Sequence, residues 1–354
     1  MPFAVHPAFK REAFPLIRPD SPREQMSIHD SRLAPVALFV YNRPEHTRKT
    51  VESLQANHLA HQTDLFIFAD GAKNGAGGAA IAEVRTFLRT IDGFKSVTIT
   101  ERERNWGLSR SIVDGVTQLC GQYGRAVVVE DDISTAPDFL TFLNFALDQY
   151  EDRPKVFTIG GFNLPISIPR HYPHDAFFSH RFMCWGWGTW RNRWELADWS
   201  VKDYPQFAAS RERQKRFDRG GNDCSYLLSR HVSGRIDSWD SVFNYTHFQH
   251  DAVALLPVIS KTYNIGLDGS GTHCRRAPFE QSALRREDRS DSYRLPDRLE
   301  PDPQISASFR RRCDRSLAKR VAHYVRDTLT PRRNLALLEN CVPSEQAEIK
   351  PQDP

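Results

Sequence analysis

Between Pro35 and Tyr150 the chain alternates four short apolar runs with four stretches of helical periodicity, and nothing else in it constrains the fold so tightly. PVALFVYNRP predicts a buried strand ending in a turn, and PEHTRKTVESLQ a helix with Pro44 in its first turn, where a missing N–H does no harm. The unit repeats: DLFIFADG is a strand, IAEVRTFLRTI a helix, SVTITE a strand, SRSIVDGVTQL a helix and AVVVE a fourth strand. Strands that are apolar on both faces and separated by helices predict an α/β fold, a mainly parallel sheet covered on both sides.

The chain's 354 residues suffice for one catalytic domain with appendages or for two small domains. Residues 1–33 are polar and proline-dotted and read as an irregular lead-in. Past residue 150 the rhythm breaks into KVFTIGGF, DAFFSH, a tryptophan-rich segment, helices between Tyr204 and His250 and a last strand near AVALLPV, an α+β half. The domain is thus expected over 34–275, a flexible linker rich in Arg, Asp, Glu, Pro and Ser over 276–304, and a basic amphipathic helix and tail over 305–354.

Composition excludes some classes. Lys+Arg 48 against Asp+Glu 44 leaves a net charge of +4, too little to argue for nucleic-acid binding. The six cysteines lie far apart, without zinc-site spacing, and scattered thiols suit a reducing compartment. With no signal-peptide core or membrane span in the N-terminal segment, a cytoplasmic location is expected. GAKNGAGGAA lacks both the ending of a P-loop and the spacing of a dinucleotide fingerprint.

The fourth strand runs into three carboxylates, Glu130, Asp131 and Asp132. In open parallel sheets ligands bind beyond the carboxyl ends of strands, where these residues fall. Adjacent carboxylates near an apolar interior either take up protons or attract a cation. Mn²⁺ or Mg²⁺ held by one or two carboxylates keeps positions for phosphate oxygens, which suits a nucleotide diphosphate. Strand alternation sends Glu130 and Asp132 to one side and Asp131 to the other, with Asp132 the first-choice ligand. The plain alternative makes Asp131 and Asp132 a loop before a helix capped by Ser134 or Thr135.

The strand–EDD–xxxAPDF–helix element resembles the metal-binding motif of GT-A glycosyltransferases, most closely the N-acetylglucosaminyltransferase I type and bacterial polysaccharide-cluster transferases. VALFVYNRP, NWGLSRSI, CWGWGTW and SWDSVFNYTHF extend the likeness over roughly residues 34–275. The resemblance implies a Rossmann-like sheet flanked by helices, a UDP-sugar donor, transfer of a hexosyl or N-acetylhexosaminyl group to a glycan hydroxyl with inversion, and Asp132 on Mn²⁺ beside Glu130 and Asp131. It likewise implies Arg43 on the diphosphate or base and Asp70 on the uracil imide. Each has a structural alternative, a surface ion pair for Arg43 and a turn beside Gly71 for Asp70. Asn105, Gly107 and Ser109 sit before a helix, where backbone N–H groups face an anion or Ser109 simply caps.

Transfer to a hydroxyl needs a general base. By resemblance Trp239-Asp240 carries it, with Asp237 as substitute, although the family's second adjacent acid is here Ser241. Alternatively Ser238 or Asp237 caps a helix starting near Asp240. Trp187, in CWGWGTW, offers a ring face to a sugar, whereas Trp190 and Trp194 at helical spacing suit a core. The glycine-rich GLDGSGTH reads as a lid, from which His273 can reach the metal or the diphosphate.

Phe309, Cys313, Leu317, Val321, Val325 and Leu329 recur every fourth residue among Arg310, Arg311, Arg312, Arg315, Lys319, Arg320 and Arg326. Such a helix either lies peripherally on an anionic membrane, near lipid-linked acceptors, or packs its stripe on the domain or a second subunit. Two other functions share the acidic strand end. A metal-dependent nucleotidyl or phosphoryl transferase needs a cationic phosphate cradle besides, and a nucleotide-sugar-binding module needs no base.

Overall fold

Val36, Leu38 and Val40 of the first strand face one layer of helices and Ala37 and Phe39 the other, so both sides of the sheet are core. This computed structural model describes residues 33–73, 77–269, 292–316 and 318. The sheet half contains β1 (Val36–Val40), α1 (Pro44–Gln55), β2 (Asp64–Ala69), α2 (Gly78–Leu88), β3 (Ser96–Glu101), α3 (Leu108–Tyr123), β4 (Arg125–Glu130), β5 (Ile133–Thr135) and α4 (Phe139–Gln149). There follow β6 (Val156–Gly160), β7 (Ala176–Ser179), β8 (Trp187–Trp190), α5 (Arg191–Trp194), α6 (Tyr204–Ala209), α7 (Arg211–Phe217), α8 (Cys224–Val232), α9 (Trp239–Gln249), β9 (Val253–Pro257), β10 (Thr262–Asn264) and α10 (Pro303–Cys313).

Eight strands form one sheet in the order β3-β2-β1-β4-β8-β6-β9-β7, and β10 pairs with β5 in a small second one. The pairs β1/β2, β2/β3 and β1/β4 are parallel, as the alternation predicts. Beyond β4 the sheet becomes mixed: β8 runs antiparallel to β4 and β6, β9 is parallel to β6, and β7 antiparallel to β9. The chain therefore has an α/β fold with a helix-flanked, mainly parallel first half. Strand order reverses between β1 and β4, so a crevice opens beyond their carboxyl ends.

On one face α1, α2 and α4 contribute Val51, Leu54, Val84, Leu88, Phe139 and Leu143, all buried. The other carries α3 and the tryptophans, with Ile112, Val116, Trp187, Trp194, Trp239 and Phe243 packed together. Each such side chain removed from water stabilises the fold by about 1.5–3 kcal/mol before conformational entropy is subtracted.

One expectation needs correction. Residues 292–304 do not behave as a linker: Tyr293 is buried, its hydroxyl donates to the Asp138 carboxylate at 3.1 Å, and Tyr150 donates to the Pro296 carbonyl at 2.7 Å. The Asp138 carboxylate also pairs with Lys261, so this strap is held by a buried ion pair rather than by apolar contact alone. α10 begins at Pro303, capped by Asp302, and lays Ile305 and Phe309 on an apolar cluster with Phe177 and Leu256, the packing alternative for this part of the helix. Its stripe covers the domain as far as Cys313. Leu317, Lys319, Arg320, Val321, Val325, Arg326 and Leu329 lie outside the described residues, as do residues 1–32. Among the described residues no helix is long and apolar enough to cross a membrane.

Candidate functional site

β4 ends at Glu130, so Asp131 and Asp132 stand on a turn and strand alternation no longer separates them. This corrects the expectation that Asp131 and Asp132 face opposite sides. Arg43, the residue before α1, reaches both: its guanidinium donates to Asp132 Oδ2 at 2.7 Å and lies 3.8 Å from Asp131 Oδ1. Side chains of the three are only 14–18% exposed. The middle of α1 is pinned to the same turn, because Thr50 Oγ1 donates to the Asp131 carbonyl at 2.9 Å.

One guanidinium faces more than one carboxylate, and the imbalance is felt as proton affinity. Burial pushes the Asp131 carboxyl up to about 7, and the charge of Asp132 adds to the effect; Arg43 and the Tyr41 N–H oppose it. Burial raises Glu130 well above the usual carboxylate range, helped by Asp132, Asp131 and Asp240. Asp240 therefore belongs to the same electrostatic neighbourhood, although it arrives from α9, more than a hundred residues later.

Asp132 is covered as well as paired. The Ile265 N–H donates to the Asp132 carbonyl at 2.8 Å, and the following turn passes so close that a Cβ on Gly266 would stand 2.1 Å from Asp132 Oδ2. Asp268, at the end of that turn, meets His46 Nε2 of α1 at 3.1 Å. GLDG thus lies over the acidic crevice. His273 lies outside the described residues.

Asp70 has a different surrounding from the one its motif suggests. Oδ1 accepts from the N–H groups of Gly71 (2.9 Å) and Trp106 (2.8 Å), and Oδ2 from Asn105 Nδ2 (2.9 Å) and the Gly107 N–H (3.0 Å). Its carboxylate organises the NWG loop and leads the chain into α3. Asn105 is consumed in the same network, donating also to the Gly71 carbonyl at 3.1 Å. Gly107 has φ +79°, a conformation open to glycine, and Ser109 is buried in the first turn of α3 without capping it. Trp106 lies between two guanidinium groups, Arg102 3.6 Å and Arg110 4.1 Å from its ring centre.

Trp187 is not a ligand platform. It has no exposed surface, and its ring is closed in by Trp239, Phe182, Trp194 and Phe243. A tryptophan on a strand that neighbours β4 is drawn into the aromatic core, which the glycine spacing of CWGWGTW does not reveal.

Asp240 is in the first turn of α9 and partly exposed, and Asp237 is exposed near Gly107, whose added Cβ would lie 4.0 Å from Asp237 Oδ2. Ser238 occupies the capping position, but its hydroxyl does not cap; it donates to Asp240 Oδ1 at 2.5 Å and lies 2.7 Å from Ser241 Oγ. Ser238, Ser241 and His231 join the site without being marked as participants by the sequence motif. The two serines flanking Asp240 were the available signal, whereas His231 had none.

Among the described residues no three carboxylate, imidazole or thiolate groups converge as a metal cage. The donor set still suits a hard divalent cation held by one or two carboxylates, with an excess of buried negative charge that now draws protons.

No protein-family model matches this chain, and no curated protein does. Solved structures resemble it weakly. The mannosyltransferase PcManGT from Pyrobaculum calidifontis, in complex with GDP-Man and Mn²⁺, is 14% identical, with 50% of this chain and 49% of that one covered and a TM-score of 0.34. S. aureus TarS 1–349 is 9% identical over 67% of this chain and 61% of that one, with a TM-score of 0.37. A second S. aureus TarS structure is 9% identical over 67% of this chain and 37% of that one, with a TM-score of 0.38. This chain spans about half of the first structure it matches and less than two thirds of the others. Overlap of this degree brings neither activity nor ligand to it.

Proposed function

We propose that the chain is a metal-dependent glycosyltransferase of GT-A type that moves a hexosyl or N-acetylhexosaminyl group from a UDP-sugar to a hydroxyl of a glycan, with inversion. One observation carries the reading: Arg43 bridges Asp131 and Asp132 on the turn that follows Glu130 at the end of β4, and Glu130 also feels the charge of Asp240 from α9. A catalyst of this kind needs both a cation site and a base, and here they arrive from opposite halves of the chain.

Asp132, supported by Asp131, would hold Mn²⁺ or Mg²⁺. When bound, that ion neutralises charge on a departing diphosphate. Arg43, already within hydrogen-bond reach of Asp132, has the fork geometry for a phosphate oxygen and exchanges one anion for another as the donor enters. Glu130 serves as a buried acid that sets the local charge. Asp240, in the first turn of α9, accepts the proton of the attacking hydroxyl. The NWG loop, with Asn105, Gly107 and Ser109, lines the donor side, and Asp70 supports it through hydrogen bonds to that loop. The acceptor is a glycan, free or lipid-linked.

Calorimetric titration with UDP-glucose, UDP-N-acetylglucosamine and GDP-mannose, each with and without Mn²⁺, tests the reading. Mn²⁺-dependent binding of a UDP-sugar that Asp132→Ala abolishes is expected. Asp240→Asn should keep that binding and lose nucleoside diphosphate release. Binding indifferent to Mn²⁺ and to Asp132→Ala overturns the assignment.

A further inference from the structure

Asp240 is held by a brace that runs back to a histidine on the preceding helix. His231 lies in the last turn of α8 and is buried, and its Nδ1 is 3.1 Å from the backbone nitrogen of Ser238. A backbone N–H can only donate, so Nδ1 carries no proton and the ring is the Nε2–H tautomer. Burial, which lowers the proton affinity of this imidazole against the pull of Asp237 and Asp240, agrees with a neutral ring.

With its nitrogen held by His231, Ser238 presents its hydroxyl to Asp240. Ser238 Oγ–H donates to Asp240 Oδ1, so Ser241 Oγ–H, 2.7 Å away, is left to donate to Ser238 Oγ. The serines thus line up as a chain of donors ending on one carboxylate oxygen. Oδ2 of Asp240 accepts no hydrogen bond from the described residues, and it is the oxygen available to a substrate proton.

We infer that His231 is a positioning residue: through Nδ1 it holds Ser238, and Ser238 with Ser241 orients Asp240 so that Oδ2 faces the acceptor hydroxyl. The inference rests on the transfer reading above and names the support of its base. A hydroxyl donated to Oδ1 stops the carboxylate from rotating, a condition for taking a proton from one direction.

The test exploits the shape of the imidazole. In His231→Asn the amide oxygen can occupy the place of Nδ1, whereas in His231→Gln the polar atoms fall nearer the place of Nε2. Nucleoside diphosphate release is measured from the UDP-sugar that binds, with Mn²⁺, and donor affinity by titration. His231→Asn should stay within about threefold of wild type, while His231→Gln and Ser238→Ala lose about tenfold to a hundredfold in kcat at unchanged donor affinity. In ¹⁵N spectra of histidine-labelled protein, His231 should show an unprotonated Nδ1 at neutral pH.

Equal turnover in wild type and all three variants overturns the brace and leaves the transfer reading standing. Loss of donor affinity in step with turnover, or a protonated Nδ1, also overturns it. A wild type that releases no nucleoside diphosphate from any donor removes the transfer reading and the inference together.

Discussion

Trp239 stacks on Trp187 with ring centres 5.4 Å apart and planes inclined by 26°, and this contact sets where Asp240 emerges. Trp187 stands on β8, hydrogen-bonded to β4 at Val128, two residues before Glu130. The segment that carries Asp240 is thereby tied to the acidic strand end through an aromatic pair rather than through a polar link. Trp187→Ala should lower the unfolding free energy by about 3–5 kcal/mol, the usual range for emptying a buried tryptophan site. Leu196→Ala, at an exposed leucine, should stay within about 0.5 kcal/mol. Urea denaturation of both variants decides it; equal midpoints would deny Trp187 its structural role.

The alternation of strands and helices up to Tyr150 was legible because each element is local and its period is short. The acidic strand end was legible for the same reason: Glu130, Asp131 and Asp132 follow an apolar run. What escaped is long-range. The motif around Trp187 suggests a sugar platform because nothing local announces that β8 lies between β4 and β6. The pairing of Asp132 with Arg43 spans 89 positions, and the covering of Asp132 by Gly266 depends on β10 pairing with β5. Residues 292–304 read as a linker from composition, yet Tyr293 and Pro296 find partners at the two ends of α4, Asp138 and Tyr150.

His247 supplies a pH dependence whose sign follows from its burial. It lies in the aromatic core, with Nε2 3.0 Å from Thr158 Oγ1 and Nδ1 2.7 Å from the Phe243 carbonyl, and burial pushes its proton affinity down from 6.5 to about 4. The unfolded chain binds this proton first. Its contribution is therefore complete above about pH 6.5 and is lost as pH falls toward 4, by up to roughly 1.4 kcal/mol per unit. The unfolding free energy of wild type should drop over this window more steeply than that of His247→Gln. Parallel pH profiles would mean that His247 is not buried neutral.

Asp70→Asn separates a loop organiser from a direct ligand. Four N–H groups point at the two oxygens of Asp70, and an amide must turn its NH₂ toward some of them. The expected cost is about 1–3 kcal/mol in stability, the penalty for stranding buried donors. A shift in the fluorescence of Trp106 should accompany it, because that ring is held between Arg102 and Arg110 by the same loop. Weakened donor binding with wild-type stability and fluorescence would instead mark Asp70 as a ligand-facing group.

Gly266→Ala probes the cover over Asp132. The added methyl carbon would stand 2.1 Å from Asp132 Oδ2, 2.8 Å from its Cγ and 2.9 Å from an Arg43 guanidinium nitrogen. No rotation of a methyl relieves such contacts, so either the turn Ile265–Asp268 lifts or Asp132 turns away from Arg43. The first course strains the hydrogen bond from Ile265 to the Asp132 carbonyl; the second misplaces the proposed metal ligand. Overpacking of this kind costs about 1–3 kcal/mol. Gly78→Ala is the control, since an added Cβ there meets nothing within 4 Å in the first turn of α2, and it should be neutral or stabilising by a few tenths of a kcal/mol to about 1 kcal/mol. In Gly266→Ala a lowered urea midpoint should come with weaker Mn²⁺-dependent binding of the UDP-sugar, both absent from Gly78→Ala. Wild-type stability and affinity in Gly266→Ala would show that the turn does not lie against Asp132 in solution.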